Sequence, residues 1–365
     1  RRMAKRVSVD KTLFVVTLLL VFTGLVMIFS ASAVMAAERF GSPYHFLFRQ
    51  MAWAVAGMAA MIGLMNVDYR RYKHPAFVFT LLGLTTLLLV AAFFLDTTAN
   101  THRWIRLGVF SFQPSELAKP ALIFFLAWFL ESRTRSMDDW RNTLLPAAAP
   151  VVILVGLIVK QPDLGTGIVL ALVGAVVLFV AGMQLRYFAY AMAASLPFLY
   201  LLVFRVQWRY DRILAFLDPW SDPLGRGFHI IQSMIAVGTG GITGVGLMEG
   251  KQKLFYLPEP HTDFIFAVLA EETGLVGALV LVGLFAIFLY RGAHTALGTR
   301  DVFGRYLAAG ITAMVAAQAL LNISVVLGLM PTKGIPLPLV SYGGSLLFVT
   351  LASIGVLLNI SQNAD

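Results

Sequence analysis

The stretch LPEPHTDFIF (257–266) sets two prolines, Glu259, His261 and Asp263 directly before a long apolar run. A carboxylate at such a boundary can act as a general base. It does so best with a pKa near the working pH, which partial burial raises and a neighbouring ammonium lowers. Asp263 is equally placed to be the N-cap of the helix that starts at Phe264, and the two roles are compatible. Glu116 and Lys119 of QPSELAKP are i and i+3, so on a helix they share a face. As a first-turn carboxylate, Glu116 suits the helix dipole. Lys119 lies a turn inside an apolar span, where it must snorkel or pair, either with Glu116 or with an incoming carboxylate such as Asp263.

Arginines supply the complementary charge. Arg103, Arg106, Arg205, Arg209 and Arg212 suit anionic headgroups, because a guanidinium grips phosphate oxygens through two parallel hydrogen bonds. Some of them simply anchor at lipid headgroups. Trp104 is equally at home as an interfacial aromatic. Ser341, in PTKGIPLPLVSYGG (331–344), joins the substrate-contacting candidates. So does His261, although a lone histidine before a helix is more often a hydrogen-bonding residue. Asp163 in QPDLGT (161–166) reads as a helix cap. Glu271 and Glu272 fall two turns into an apolar span, so at least one must face the bundle interior. One histidine and scattered carboxylates do not spell a transition-metal site. Mg²⁺ or Mn²⁺ assisting a phosphate needs only one or two carboxylates and stays open.

These residues must be held by membrane helices. The 365-residue chain is 59% hydrophobic and 13% charged, with a mean hydropathy of +0.80. Its repeated apolar runs approach ~20 residues, the length that crosses a bilayer as helix, so the class is an all-α polytopic membrane protein. Ten spans are expected: 12–34, 46–65, 76–95, 115–130, 145–159, 165–183, 187–204, 264–290, 306–329 and 342–360. The first is too long, and lacks a small-residue cleavage site, for a removable signal peptide. Connections are short except for 205–263, a polar, glycine-containing loop. No repeat divides the chain, which reads as one transmembrane domain over 1–365. With no cysteine, disulfides and thiol chemistry are excluded. No phosphate-binding loop occurs, and the glycine-rich GTGGITGVG (238–246) follows no expected strand.

The net charge of +9 reflects topology before partners. Fifteen of the 28 Lys and Arg fall on the side of the N-terminus: Arg1, Arg2, Lys5, Arg6, Lys11, Arg70, Arg71, Lys73, Arg133, Arg135, Arg141, Arg186, Arg291, Arg300 and Arg305. Of the remaining 13, six belong to the long loop, which counts little, leaving seven to compare with 15. Both termini are therefore expected in the cytoplasm. The connections 102–120, 161–166, 258–263 and 331–344 then gather their Pro, Gly and ionisable residues on the outer face, as a site at a membrane surface would.

At these residues the chain resembles a known family. FLDPWSDP, LPEPHTDFIFAVLAEE, HRWIRLG with FQPSELAKP, QPDLGT and GIPLPLVSYGGS are similar to the signature stretches of the SEDS family (FtsW/RodA/SpoVE) of bacterial cell-wall synthesis. The likeness covers almost the whole chain, including the ten-span layout and the long outer loop. QKLFYLPEPHTDF and PTKGIPLPL look more like the division branch than the elongation branch. Departures are Pro260 where alanine or arginine is usual, Thr273 where leucine is usual, and Leu346 where a second serine often follows.

The resemblance implies a peptidoglycan glycosyltransferase of the cytoplasmic (inner) membrane. Its substrate would be lipid II, a disaccharide-pentapeptide on undecaprenyl diphosphate. Asp263 matches the family's essential outer-face aspartate and would be the catalytic base. Glu116 and Lys119 match its Glu-x-x-Lys pair and would be catalytic with it, Lys119 and the outer-loop arginines offsetting the charge on the leaving diphosphate. Trp104 matches its loop tryptophan. The expected partners are a class B penicillin-binding protein and other divisome or elongasome membrane proteins, with no nucleic acid. Two other classes of function fit part of the pattern. A lipid II flippase would suit ten helices and a basic outer surface, but the spans lack a relay of acids and the chain lacks a nucleotide motif. A scaffold for a transpeptidase would leave the convergent outer-face residues unexplained.

Overall fold

The computed structural model of the protein describes residues 9–96, 102–107, 110–134, 139–254 and 257–363. Arg1, Arg2, Lys5, Arg6 and Arg135 of the charge count lie outside the described residues, as do Phe255 and Tyr256 of QKLFYLPEPHTDF. The expected ten spans appear as α1 (Lys11–Phe40), α2 (His45–Met65), α3 (Pro75–Leu95), α4 (Pro114–Glu131), α5 (Leu145–Lys160), α6 (Leu164–Val180), α7 (Leu185–Phe204), α10 (Ile265–Gly298), α11 (Val302–Val326) and α12 (Gly344–Ser361). Eight helices among the described residues are long and apolar enough to cross a membrane. The other two are α6, of 17 residues, and α4, which carries Glu116, Lys119 and Glu131.

Burial sorts these helices. α4, α11 and α12 form the centre, with small and apolar residues such as Ala118, Leu122, Ile311 and Leu357 fully buried. α2 lies along α12, α1 along α10, and α6 along α11. α7 has no buried residue. Apolar side chains that face outward on such helices are expected where the solvent is lipid.

The stretch 205–263 is more ordered than a loop. It holds α8 (Gln207–Leu217) and α9 (Phe228–Thr239). α8 is amphipathic, with Arg209 and Ala215 buried and Leu217 exposed, so its 3.6-residue periodicity is carried by few apolar positions among many charges. The segment entering α4 is likewise partly regular: β1 (Ile105–Leu107) pairs antiparallel with β2 (Phe110–Phe112).

α10 is broken. Gly274 sits at φ 66°, ψ −164°, and a Cβ there would lie 2.3 Å from the backbone N of Gly244. The break frees backbone groups that the glycine-rich strap satisfies: Val245 and Gly246 donate to the carbonyls of Glu271 and Glu272, while Leu275 and Val276 donate to those of Gly241 and Ile242. Both glutamates are buried, as the cost of free charge requires. Glu272 pairs with Lys253 at 2.6 Å and accepts from Ser30 Oγ. Glu271 accepts from the backbone N of Lys251 and Gln252.

Asp263 is not the N-cap of α10. The helix begins at Ile265 behind Phe264, with no side-chain cap bond. The chain turns into the helix one residue later than its apolar pattern suggests, which leaves the Asp263 carboxyl pointing elsewhere.

Candidate active site

Asp263 lies at a cleft of about 710 Å³ whose walls come from four separate connections. Arg103 enters from the segment before β1, Asp163 and Gly165 from the start of α6, Arg209 and Arg212 from α8, and Lys333 and Gly334 from the segment between α11 and α12. Burial drives the Asp263 carboxyl up to about 7, helped by the charges of Glu259 and Asp163, against the pull of Arg212 and Arg103. Gly334 lets this segment close in, since a Cβ there would come within 2.9 Å of Asp263 Oδ2. Lys333 is the converse case: burial, then the nearby Arg212, lowers its ammonium to about 8.

Backbone contacts fix the aspartate. Three successive carbonyls are engaged: His261 O accepts from Tyr342 N at 2.9 Å, Thr262 O from Ser341 Oγ at 2.5 Å, and Asp263 O from Asn322 Nδ2 at 2.8 Å. Ser341 also accepts from Leu337 N, which closes its own turn. Ser341 and His261 are buried and do not line the cleft. The His261 ring packs on Phe46 and Tyr342, and burial lowers its pKa. Both residues support the segment that carries Asp263.

The arginines divide. Arg103 donates to the carbonyls of Gln161 and Pro162, while the backbone N of Arg103 and Trp104 both donate to Asp96 Oδ2. Arg209 and Arg212 flank the Trp208 ring at 4.9 and 5.0 Å, and Arg209 also donates to Leu202 O. Trp104, Arg106 and Arg205 do not line the cleft, and Arg106 and Arg205 are exposed.

Glu116 and Lys119 stand apart from it. Both are 2% exposed within the bundle, 2.6 Å from each other. Of the two partners open to Lys119, the structure supplies Glu116 rather than Asp263, because α4 places an i+3 neighbour on the same face. Lys119 also donates to Gln318 Oε1 at 2.7 Å.

Asp163 caps α6 as expected, accepting from Thr166 N and Oγ1, and it lines the cleft as well. Sequence reasoning missed Lys333, Arg226 and His229 as cleft residues. Lys333 belongs to PTKGIPLPLVSYGG, and its place between Pro331 and Gly334 in a short connection between two spans is the available signal. For Arg226, just before α9, and His229, at its start, the signal is weaker, since apolar periodicity is faint across 205–263. Asp163, Asp211, Asp222, Glu259 and Asp263 share the cleft without converging, and Asp211 and Asp222 pair with Arg226 at 3.3 and 3.5 Å. No group of three or more His, Asp or Glu able to hold a metal occurs among the described residues.

Cell cycle proteins of the FtsW/RodA/SpoVE family provide a model that matches residues 10–365. The chain is 45% identical over 353 residues to a probable peptidoglycan glycosyltransferase FtsW of Geobacter metallireducens, covering 96% of this chain and 94% of that one. It is 44% identical to stage V sporulation protein E of Bacillus subtilis, with 98% of each covered. Among solved structures it is similar to a chain in a peptidoglycan synthase complex that coordinates polymerization and crosslinking. There the TM-score is 0.80 at 33% identity, with 97% of each chain covered. The rod shape determining protein RodA of Thermus thermophilus gives a TM-score of 0.71 at 30% identity, over 98% of this chain and 97% of that one. Matched from near its first residue to its last, this chain belongs to the FtsW/RodA/SpoVE family.

Proposed function

We propose that this multi-pass membrane protein, a peptidoglycan glycosyltransferase by family, polymerises lipid II at the Asp263 cleft, with Asp263 as general base. The observation that supports the reading best is a carboxyl raised to about 7 in a large cleft rimmed by Arg103, Arg209, Arg212, Arg226 and Lys333. A base with a pKa near the working pH is still ionised often enough to act and basic enough to accept a proton.

The reaction follows from that arrangement. The acceptor sugar's 4-hydroxyl loses its proton to the Asp263 carboxylate as its oxygen forms a bond to the donor's anomeric carbon. The bond from that carbon to the diphosphate breaks, and its electron pair leaves with undecaprenyl diphosphate. Displacement from the opposite face inverts the anomeric configuration. Negative charge grows on the leaving diphosphate, and the arginines with Lys333 stabilise it.

The excess of Lys and Arg on the side of the N-terminus supports cytoplasmic termini and an outer-face cleft. The whole chain then acts as one transmembrane domain. The likeness to a chain of a synthase complex supports a class B penicillin-binding protein as partner. The test is polymerisation of purified lipid II by the protein with its cognate transpeptidase, native against Asp263→Asn. Loss of glycan chains in a variant that folds and binds its partner is expected; an undiminished rate overturns the base assignment. A native complex that makes no chains but moves lipid II across vesicles would establish a flippase instead.

A further inference from the structure

The segment facing Asp263 is held from behind by two amides of α11. Gln318 and Asn322 are one turn apart and both are buried. Gln318 Nε2 donates to Pro336 O at 2.9 Å. Asn322 Nδ2 donates both to Ile335 O at 2.7 Å and to Asp263 O at 2.8 Å. One side-chain amide therefore ties the backbone of Asp263 to the backbone that follows Lys333 and Gly334. The orientation of Gln318 is itself set, because Lys119 holds its oxygen at 2.7 Å and so turns its N–H₂ toward Pro336. Glu116, in turn, balances the Lys119 charge at 2.6 Å. None of these four side chains lines the cleft.

We propose that Gln318 and Asn322 are positioning residues that fix the 333–336 segment against Asp263, and that Glu116–Lys119 acts through Gln318 without touching substrate. The inference rests on the reading of Asp263 as the base, and it assigns the pair a mechanical role in place of a chemical one. A buried ion pair suits that task, because breaking it leaves a charge that forces local rearrangement. Displacing catalytic groups by about 1 Å can cost ~10² in rate.

Two readouts test the proposal. The first is a double-mutant cycle on lipid II polymerisation with Lys119→Met and Gln318→Met. Each single change is expected to lower kcat/KM at least ~10-fold, and the double change no further than the worse single one. Effects that multiply would mean that Lys119 acts independently of Gln318, and would overturn the proposal.

The second readout does not depend on catalysis. The chain has no cysteine, so Thr332→Cys introduces a single thiol beside the clamped segment. Its reaction with a water-soluble maleimide, in detergent-solubilised protein, is expected to speed up several-fold in Gln318→Met and in the nearly isosteric Asn322→Leu. Labelling unchanged in both backgrounds overturns the clamp. Asp263→Asn is expected to abolish polymerisation while leaving labelling as it was. If that variant stays active, the base reading fails and the labelling still decides the clamp.

Discussion

Asp163 and Asp263 face one cleft from positions far apart in the sequence, and the charge of the first helps to push up the carboxyl of the second. The Asp163 carboxyl is held in place by capping α6, accepting from Thr166 N and Oγ1. Replacing it by asparagine preserves a capping oxygen and removes the repulsion. The acid limb of kcat/KM for polymerisation is therefore expected near pH 7 in the native protein and at lower pH in Asp163→Asn. A pH profile of both proteins checks this; coincident limbs would mean that the two carboxylates do not interact.

With Asp263 as the proposed base, catalysis would need Asp263 ionised and Lys333 protonated together. With groups at about 7 and about 8, the ionised-base, protonated-lysine state exists over a narrow window, and the pH profile is expected to be bell-shaped. Lys333→Arg should extend activity to higher pH, since guanidinium stays charged. Lys333→Met should lower kcat by ~10²-fold, the usual scale for losing one charge-stabilising donor. An unmoved basic limb in Lys333→Arg would assign that limb to another group.

Asp263 makes the fold less stable in its working form. Its folded pKa is raised, so the stability it contributes is full below about pH 4, where an unfolded aspartate is also protonated, and is lost as pH rises through about 7. Asp263→Asn is expected to unfold at a higher temperature than the native protein at pH 8 and at a similar one near pH 4. Thermal scans of the detergent-solubilised proteins at the two pH values measure the difference. A variant less stable at pH 8 would contradict the burial argument.

Lys253 and Glu272 form a pair 2.6 Å apart with almost no exposure, joined by Ser30. Lys253→Met leaves an uncompensated carboxylate and should cost about 3–5 kcal/mol; adding Glu272→Leu should restore part of it. Comparing unfolding of the single and double variants tests this. A double variant weaker than the single would show that Glu272 finds other partners.

Much of this architecture was legible. The ten spans followed from the length of apolar runs, because in lipid the helix is the one way a single segment satisfies its own backbone. The gathering of Asp263, Arg103, Arg209 and Arg212 at one cleft followed from loop parity and charge. What stayed hidden depended on contacts far apart in sequence. Gln318 and Asn322 read as ordinary polar residues in a span until α11 is set against the 331–341 segment. α8 and α9 were hidden because their few apolar positions are diluted by charge and glycine. Lys119 showed that it needed a partner but not which one, since spacing alone permits Glu116 and leaves Asp263 open.

The indole of Trp208 has both Arg209 and Arg212 within 5.0 Å. A free arginine side chain holds about 2 kcal/mol of rotamer entropy, part of which is surrendered whenever it grips an anion. Two guanidinium groups already held over one ring surrender much of it during folding, before any anion arrives. The cleft is thus pre-organised as well as charged, so the heat and the entropy of anion binding should both report on the Trp208 ring in its wall.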